Sequence, residues 1–127
     1  MSDRVEIPYE VLGGEAVLSK LVHTFYGYVS QHPDLAPLFP DDLSETKRKQ
    51  IQFLTQFLGG PSLYTNEHGH PMLRARHMPF VITSVQAEAW LDCMKKAMDD
   101  CQIEKNIREY MLNRLTMTAH HMVNHQA

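Results

Sequence analysis

Residues 15–31, EAVLSKLVHTFYGYVSQ, set Leu18, Leu21, Val22, Phe25 and Val29 at steps of three and four. Such spacing gathers the five apolar side chains on one face of an α-helix; a strand, whose faces alternate every second residue, would scatter them. Gly13 and Gly14 stand before the stretch and HPDLAP (32–37) after it, which gives the helix a start and a stop. One inward residue is not plain hydrocarbon: Tyr26 follows Phe25 toward the packed face and takes a hydroxyl with it.

The same period recurs along the chain. A helix over 44–58 has Phe53, Leu54 and Phe57 as its buried stripe, Ser44 as expected N-cap and Gly59, Gly60 and Pro61 as its stop. PSLYTNEHGHP (61–71) reads as a loop. It leads into a short helix carrying His77, opened by Pro71 and ended by Pro79, so the imidazole falls in the closing turn. Thr83 and Gln86 have capping-box spacing ahead of a helix over 84–99, with Trp90, Met94 and Ala97 on one face. The last helix, 103–122, repeats Ile103, Ile107, Met111, Leu115, Ala119 and Met122 at threes and fours, and the ending HHMVNHQA is expected to fray. With no alternating apolar run, hairpin turn, repeat or linker, residues 1–127 are expected to form a single all-α domain.

Composition bounds what such a domain does. Apolar residues are 43% and charged residues 21% of the chain, the range of a folded globular protein. The net charge of −3, from 12 basic and 15 acidic residues, offers no basic field for nucleic acid. No signal core opens the chain and no run nears the roughly 18 apolar residues of a membrane span, so a cytoplasmic location without membrane attachment is expected. Cys93 and Cys101 would lie about 12 Å apart on a continuous helix, too far for a disulfide, and are read as thiols.

Extending the Phe53 and Phe57 stripe backward by helical steps lands on Gln50 and Thr46, two polar residues facing inward. A buried amide or hydroxyl without a partner costs about 1–3 kcal/mol, so a polar object is expected between the helices. Tyr26 and Trp90 bring further donors to the same wall, and His77 adds an imidazole at a helix end. Together they suggest a pocket with a ligand atom at its centre. A single histidine suffices to hold an iron that a porphyrin already binds through four nitrogens, so haem accounts for the set; without a C-x-x-C-H sequence it would not be covalently attached. Zinc is the competing explanation, through His68, His70 and His77 or the i, i+4 pair His121 and His125, although no cysteine pair or H-E-x-x-H accompanies either group.

At this point the sequence resembles the truncated haemoglobins, and within them the second group, which carries a tryptophan in the distal pocket. The resemblance covers about residues 8–120 and rests on the Gly13–Gly14 pair, FYGYV (25–29), HPDLAPLFP (32–40), KQIQFLTQFLGGPSLY (49–64), HGHPMLRARHMPF (68–80) and the tryptophan-bearing helix. It implies a truncated globin fold, a two-over-two helical sandwich around haem b. Carried over by position, it makes His77 the proximal iron ligand, Tyr26 the main distal donor and Trp90 a second donor. Gln50 and Thr46 then fall on the distal helix, Thr46 where many globins carry a distal histidine. Phe39, Phe53 and Leu54 are expected against the porphyrin, and Lys49, Tyr64 and Arg76 at its propionates, with Arg76 favoured over Arg74.

Donors aimed at a gas that gains negative charge on iron contribute about 1.5–3 kcal/mol each, so tight oxygen binding and slow release are expected, with carbon monoxide less affected. The resemblance also leaves open a redox enzyme, oxidising nitric oxide or cleaving peroxide. No flavin or nicotinamide motif occurs, so its electrons would come from a separate reductase. A monomer or weak dimer is expected.

Overall fold

Leu18, Leu21, Val22, Phe25 and Val29 are each 0% exposed, and they form the centre of the core. Burying a side chain of this size contributes about 1.5–3 kcal/mol, which is why the stripe decides how this helix packs. The computed structural model describes residues 6–125, and among them every regular element is helical. The order is α1 (Pro8–Leu12), α2 (Gly14–Val29), a 3₁₀ turn (Ala36–Leu38), α3 (Ser44–Phe57), α4 (Leu63–His68), α5 (Leu73–His77), α6 (Ser84–Asp100) and α7 (Lys105–His121).

Helix α2 packs on both α3 and α6, and α6 packs on α7, so two helix pairs stack with α2 and α6 at their contact. This is the two-over-two sandwich. Leu54 and Leu58 of α3, Met94, Ala97 and Met98 of α6, and Met111 and Leu115 of α7 complete the interior. Gly13 joins α1 to α2 at φ 120°, a conformation that disfavours any residue with a Cβ, and its N–H closes α1 on the Glu10 carbonyl.

Several boundaries differ from the sequence reading. Ser44 is the first helical residue of α3 rather than its N-cap, which is Leu43 and makes no side-chain cap; Asp42, one residue earlier, accepts from the Ser44 N–H at 3.0 Å. The 61–71 segment contains α4, six residues too short and too polar to display a period, held because the Gln56 side chain of α3 bonds both the backbone N–H and the hydroxyl of Thr65. Pro71 precedes α5 without entering it: the N-cap is Met72 in the left-handed region, φ 46°. Ile103 belongs to the link before α7, whose N-cap Glu104 accepts from the N–H groups of Asn106 and Ile107. The capping box of α6 is present, with the Gln86 side chain accepting from the Thr83 N–H at 2.8 Å.

The ending does not fray as far as it is described. Met122 is buried, and Asn124 ties back to Ile82 through bonds of 2.9 Å in both directions. Long-range hydrogen bonds of this kind are not visible in a local polar sequence.

Candidate functional site

Side chains from α2, α3, α5, α6 and α7 line a cavity of about 310 Å³, within the range of roughly 300–1,000 Å³ common for small-molecule and cofactor sites. The wall is mainly apolar, with Leu35, Leu38 and Phe39 from the segment after α2, Phe53 from α3, Leu73 from α5, and Leu115 and Met122 at the end of the chain. Tyr26, Thr46, Gln50, Trp90 and His77 are among its polar lining residues.

His77 is the last residue of the five-residue α5, and its Nδ1 lies 2.7 Å from the carbonyl oxygen of Leu73, one turn earlier. A carbonyl only accepts, so the bond places a proton on Nδ1, and in the neutral ring that leaves the lone pair on Nε2. That is the tautomer a metal ligand needs.

Tyr26 is 3% exposed as a residue and lines the cavity, while its hydroxyl has no hydrogen-bond partner among the described residues. Burial pushes its phenol well above the ordinary value of 10.0, so it stays protonated and remains a donor at neutral pH. Phe25 holds the neighbouring rings apart: its ring meets that of Tyr26 and that of Trp90 edge-on, each at 4.9 Å. Phe39 meets Tyr26 edge-on at 5.8 Å. Rings packed on two sides keep the hydroxyl directed without spending its proton on the protein.

The cationic groups lie where the cavity meets solvent. Lys49 and Arg76 both line it and both are exposed, and the Arg76 guanidinium stands 5.5 Å from the centre of the Tyr64 ring. Tyr64 in turn meets Phe53 edge-on at 6.0 Å and His68 at 4.7 Å. A network outside them secures α4 to α3: Arg48 binds Glu45 at 2.8 Å and Glu67 at 2.6 Å, and Gln52 bonds His68 at 2.9 Å.

Of the residues singled out from the sequence, His77, Tyr26, Trp90, Thr46, Gln50, Lys49, Tyr64, Phe39, Phe53 and Arg76 meet at this one cavity. Leu54 does not; it is fully buried in the helical core, because one residue along α3 turns the side chain about 100° away from Phe53. Arg74 also turns away, donating to the carbonyls of His121 and Val123. Gln86, read only as a capping residue, Met122, read only as part of the last helix's stripe, and Thr118, not singled out, also line the cavity. Thr118 stands one helical turn before Met122, and that spacing is the signal that would have found it. The histidines proposed as zinc ligands are engaged separately: His68 with Gln52 and Glu67, and His70 with the Met72 N–H. Among the described residues no three His, Cys, Asp or Glu side chains converge on one point.

A mainly apolar cavity, one imidazole with its Nδ1 held by a carbonyl, a tyrosine hydroxyl without a partner among the described residues and cations at the mouth fit a porphyrin iron better than a metal held by protein alone. Helices stacked two over two around such a cavity point to a globin. Residues 8–124 match the bacterial-like globin family. The chain is 61% identical over 124 residues to group 2 truncated hemoglobin YjbI of Bacillus subtilis, covering 98% of this chain and 93% of that one. The crystal structure of the group II truncated hemoglobin from Bacillus anthracis superposes with a TM-score of 0.96 at 62% identity, over 98% of this chain and 96% of that one. The X-ray structure of the truncated oxygen-avid haemoglobin from Bacillus subtilis does so with a TM-score of 0.91 at 63% identity, over 94% and 100%. This chain belongs to the truncated haemoglobins, in their second group. Membership implies haem. No helix among the described residues is long and apolar enough to cross a membrane.

Proposed function

We propose that the chain holds haem b through His77 and binds oxygen reversibly, with high affinity and slow release. One observation carries the reading: Tyr26, a nearly buried residue whose protonated hydroxyl has no hydrogen-bond partner among the described residues, lines the same cavity as His77, whose Nδ1 is held by Leu73. A phenol that spends its proton on no protein group is free to donate it to a ligand in the cavity.

Haem, when bound, supplies an iron that takes a diatomic gas and shifts negative charge onto it. The residues do the rest. Leu73 holds the His77 ring in the tautomer that presents Nε2, Tyr26 and the Trp90 N–H donate toward the gas, and Gln50 and Thr46 add polarity on the α3 side. Phe39 and Phe53 exclude water from the porphyrin faces, while Lys49, Arg76 and Tyr64 receive its propionates at the rim. The oxygen-avid relative from Bacillus subtilis supports the same reading.

The donor-rich wall also favours a second reading, a haem-dependent oxidation of nitric oxide or reduction of peroxide, with electrons from a separate reductase. Both readings suit a cytoplasmic monomer or weak dimer. An absorption spectrum of the purified protein with an oxygen titration tests the first: about one haem per chain with a strong Soret band and submicromolar oxygen affinity support it, and a colourless folded protein overturns it. Steady turnover of nitric oxide or peroxide with a supplied reductase, above the rate of free haem, would establish the second.

A further inference from the structure

A five-residue helix does not hold itself in place, since isolated helices shorter than about 12–15 residues are marginal in water. Helix α5 nevertheless carries His77, and the residues that fix it come from the far end of the chain. At its start, one Arg74 Nη donates to the carbonyls of His121 at 2.7 Å and Val123 at 3.1 Å. At its end, the Asn124 side-chain amide donates to the carbonyl of His77 itself at 3.2 Å and to that of Phe80 at 2.9 Å.

Asn124 is saturated. Its Oδ1 accepts from the Ile82 N–H at 2.9 Å and from His125 Nδ1 at 2.7 Å, and its own backbone N–H donates to the Ile82 carbonyl at 2.9 Å. Both donors and both lone pairs of the side chain are used, which only an asparagine-type amide of this length does here. The two carbonyls on one side and the N–H on the other settle which end is nitrogen. Met122, two residues before, is buried and lines the cavity, so the same segment closes the wall and ties down the ligand's backbone.

We infer that residues 121–124 are a strap that positions the haem's proximal ligand, with Asn124 and Arg74 as positioning residues for His77. The Leu73 bond orients the ring relative to its own helical turn; the strap orients that turn relative to the cavity, and thereby the direction and tension of the bond from Nε2. This rests on the reading of His77 as the iron ligand.

The test uses the ferrous, ligand-free holoprotein and reads the iron–histidine stretching band by resonance Raman, together with haem transfer to an excess of an apoglobin acceptor. Asn124→Asp keeps the shape and the bond from Ile82 but turns an acceptor oxygen toward the His77 and Phe80 carbonyls. It is expected to shift or split the band and to speed haem transfer about tenfold, the scale set by losing hydrogen bonds to a part-buried group. Arg74→Gln, which frees the other end, is expected to move the band the same way, and decides the matter if Asn124→Asp does not fold. An unchanged band in the folded variants overturns the strap, even if their melting temperature drops, because a merely structural tie would lower stability without altering the bond. Absence of an iron–histidine band in the unmodified haem-loaded protein would instead remove His77 as ligand, a failure visible before any variant is made.

Discussion

The Nδ1 of His77 stands 2.7 Å from the carbonyl oxygen of Leu73, so a ring proton is committed to its own helix while the residue lines the cavity. His77→Ala removes the imidazole that the proposed site offers to iron. The purified variant is expected to lose most of its haem, and added imidazole should restore a Soret band by filling the space left behind. Retention of one haem per chain without imidazole would assign the iron to a different side chain.

Tyr26→Phe deletes the unpartnered hydroxyl and leaves the ring packing on Phe25 and Phe39 in place. A hydrogen bond to a charged group contributes about 1.5–3 kcal/mol, so oxygen dissociation measured by stopped flow should accelerate by at least about tenfold. Carbon monoxide, which develops less charge, should respond less. If Tyr26→Phe and Trp90→Phe both release oxygen at the original rate, donors do not set the affinity.

Phe25 contacts both Tyr26 and Trp90 edge-on and is fully buried. Phe25→Ala is expected to cost about 3–5 kcal/mol of stability, lowering the melting temperature by roughly 10 °C or more. The cavity it leaves also releases both donors, so oxygen dissociation should become faster and multiphasic. Single-phase release at the original rate would mean that Phe25 does not orient them.

Lys49 and Arg76 are exposed, which limits what either contributes to holding propionates. Arg76→Ala is expected to speed haem loss only severalfold, in line with about 0.2–1 kcal/mol for an exposed ion pair, and the difference should shrink in high salt. A loss rate raised a hundredfold, or one indifferent to salt, would give Arg76 a different role.

Glu67 bonds Arg48 and Gln52, which hold its carboxyl at about 2, below the ordinary glutamate value of 4.5. A carboxylate depressed by folding stabilises the protein fully above 4.5, and that stabilisation is lost as pH falls toward about 2. Melting curves between those limits should therefore fall with acid, and Glu67→Gln should flatten the decline. Haem release should follow, since this clamp positions α4 and with it Tyr64. An identical acid profile in the variant would put the sensitivity elsewhere.

The helical period of 15–31 and of the three other long segments was enough to read an all-α fold from the sequence, because an amphipathic stripe records on each helix which face must leave water; the two-over-two arrangement came with the resemblance to a family. The inward polar residues were legible for the same reason: Gln50 and Tyr26 break that stripe. Naming the group they serve drew on the resemblance to a family. Tertiary structure alone decided what depends on distant partners. It separated Phe53 from Leu54 and Arg76 from Arg74, folded α4 out of a stretch without period, and turned an apparently loose ending into the Asn124 tie. Periodicity is a property of neighbours three and four apart, whereas the bonds that set His77 join residues 47 positions apart, and no local pattern encodes them.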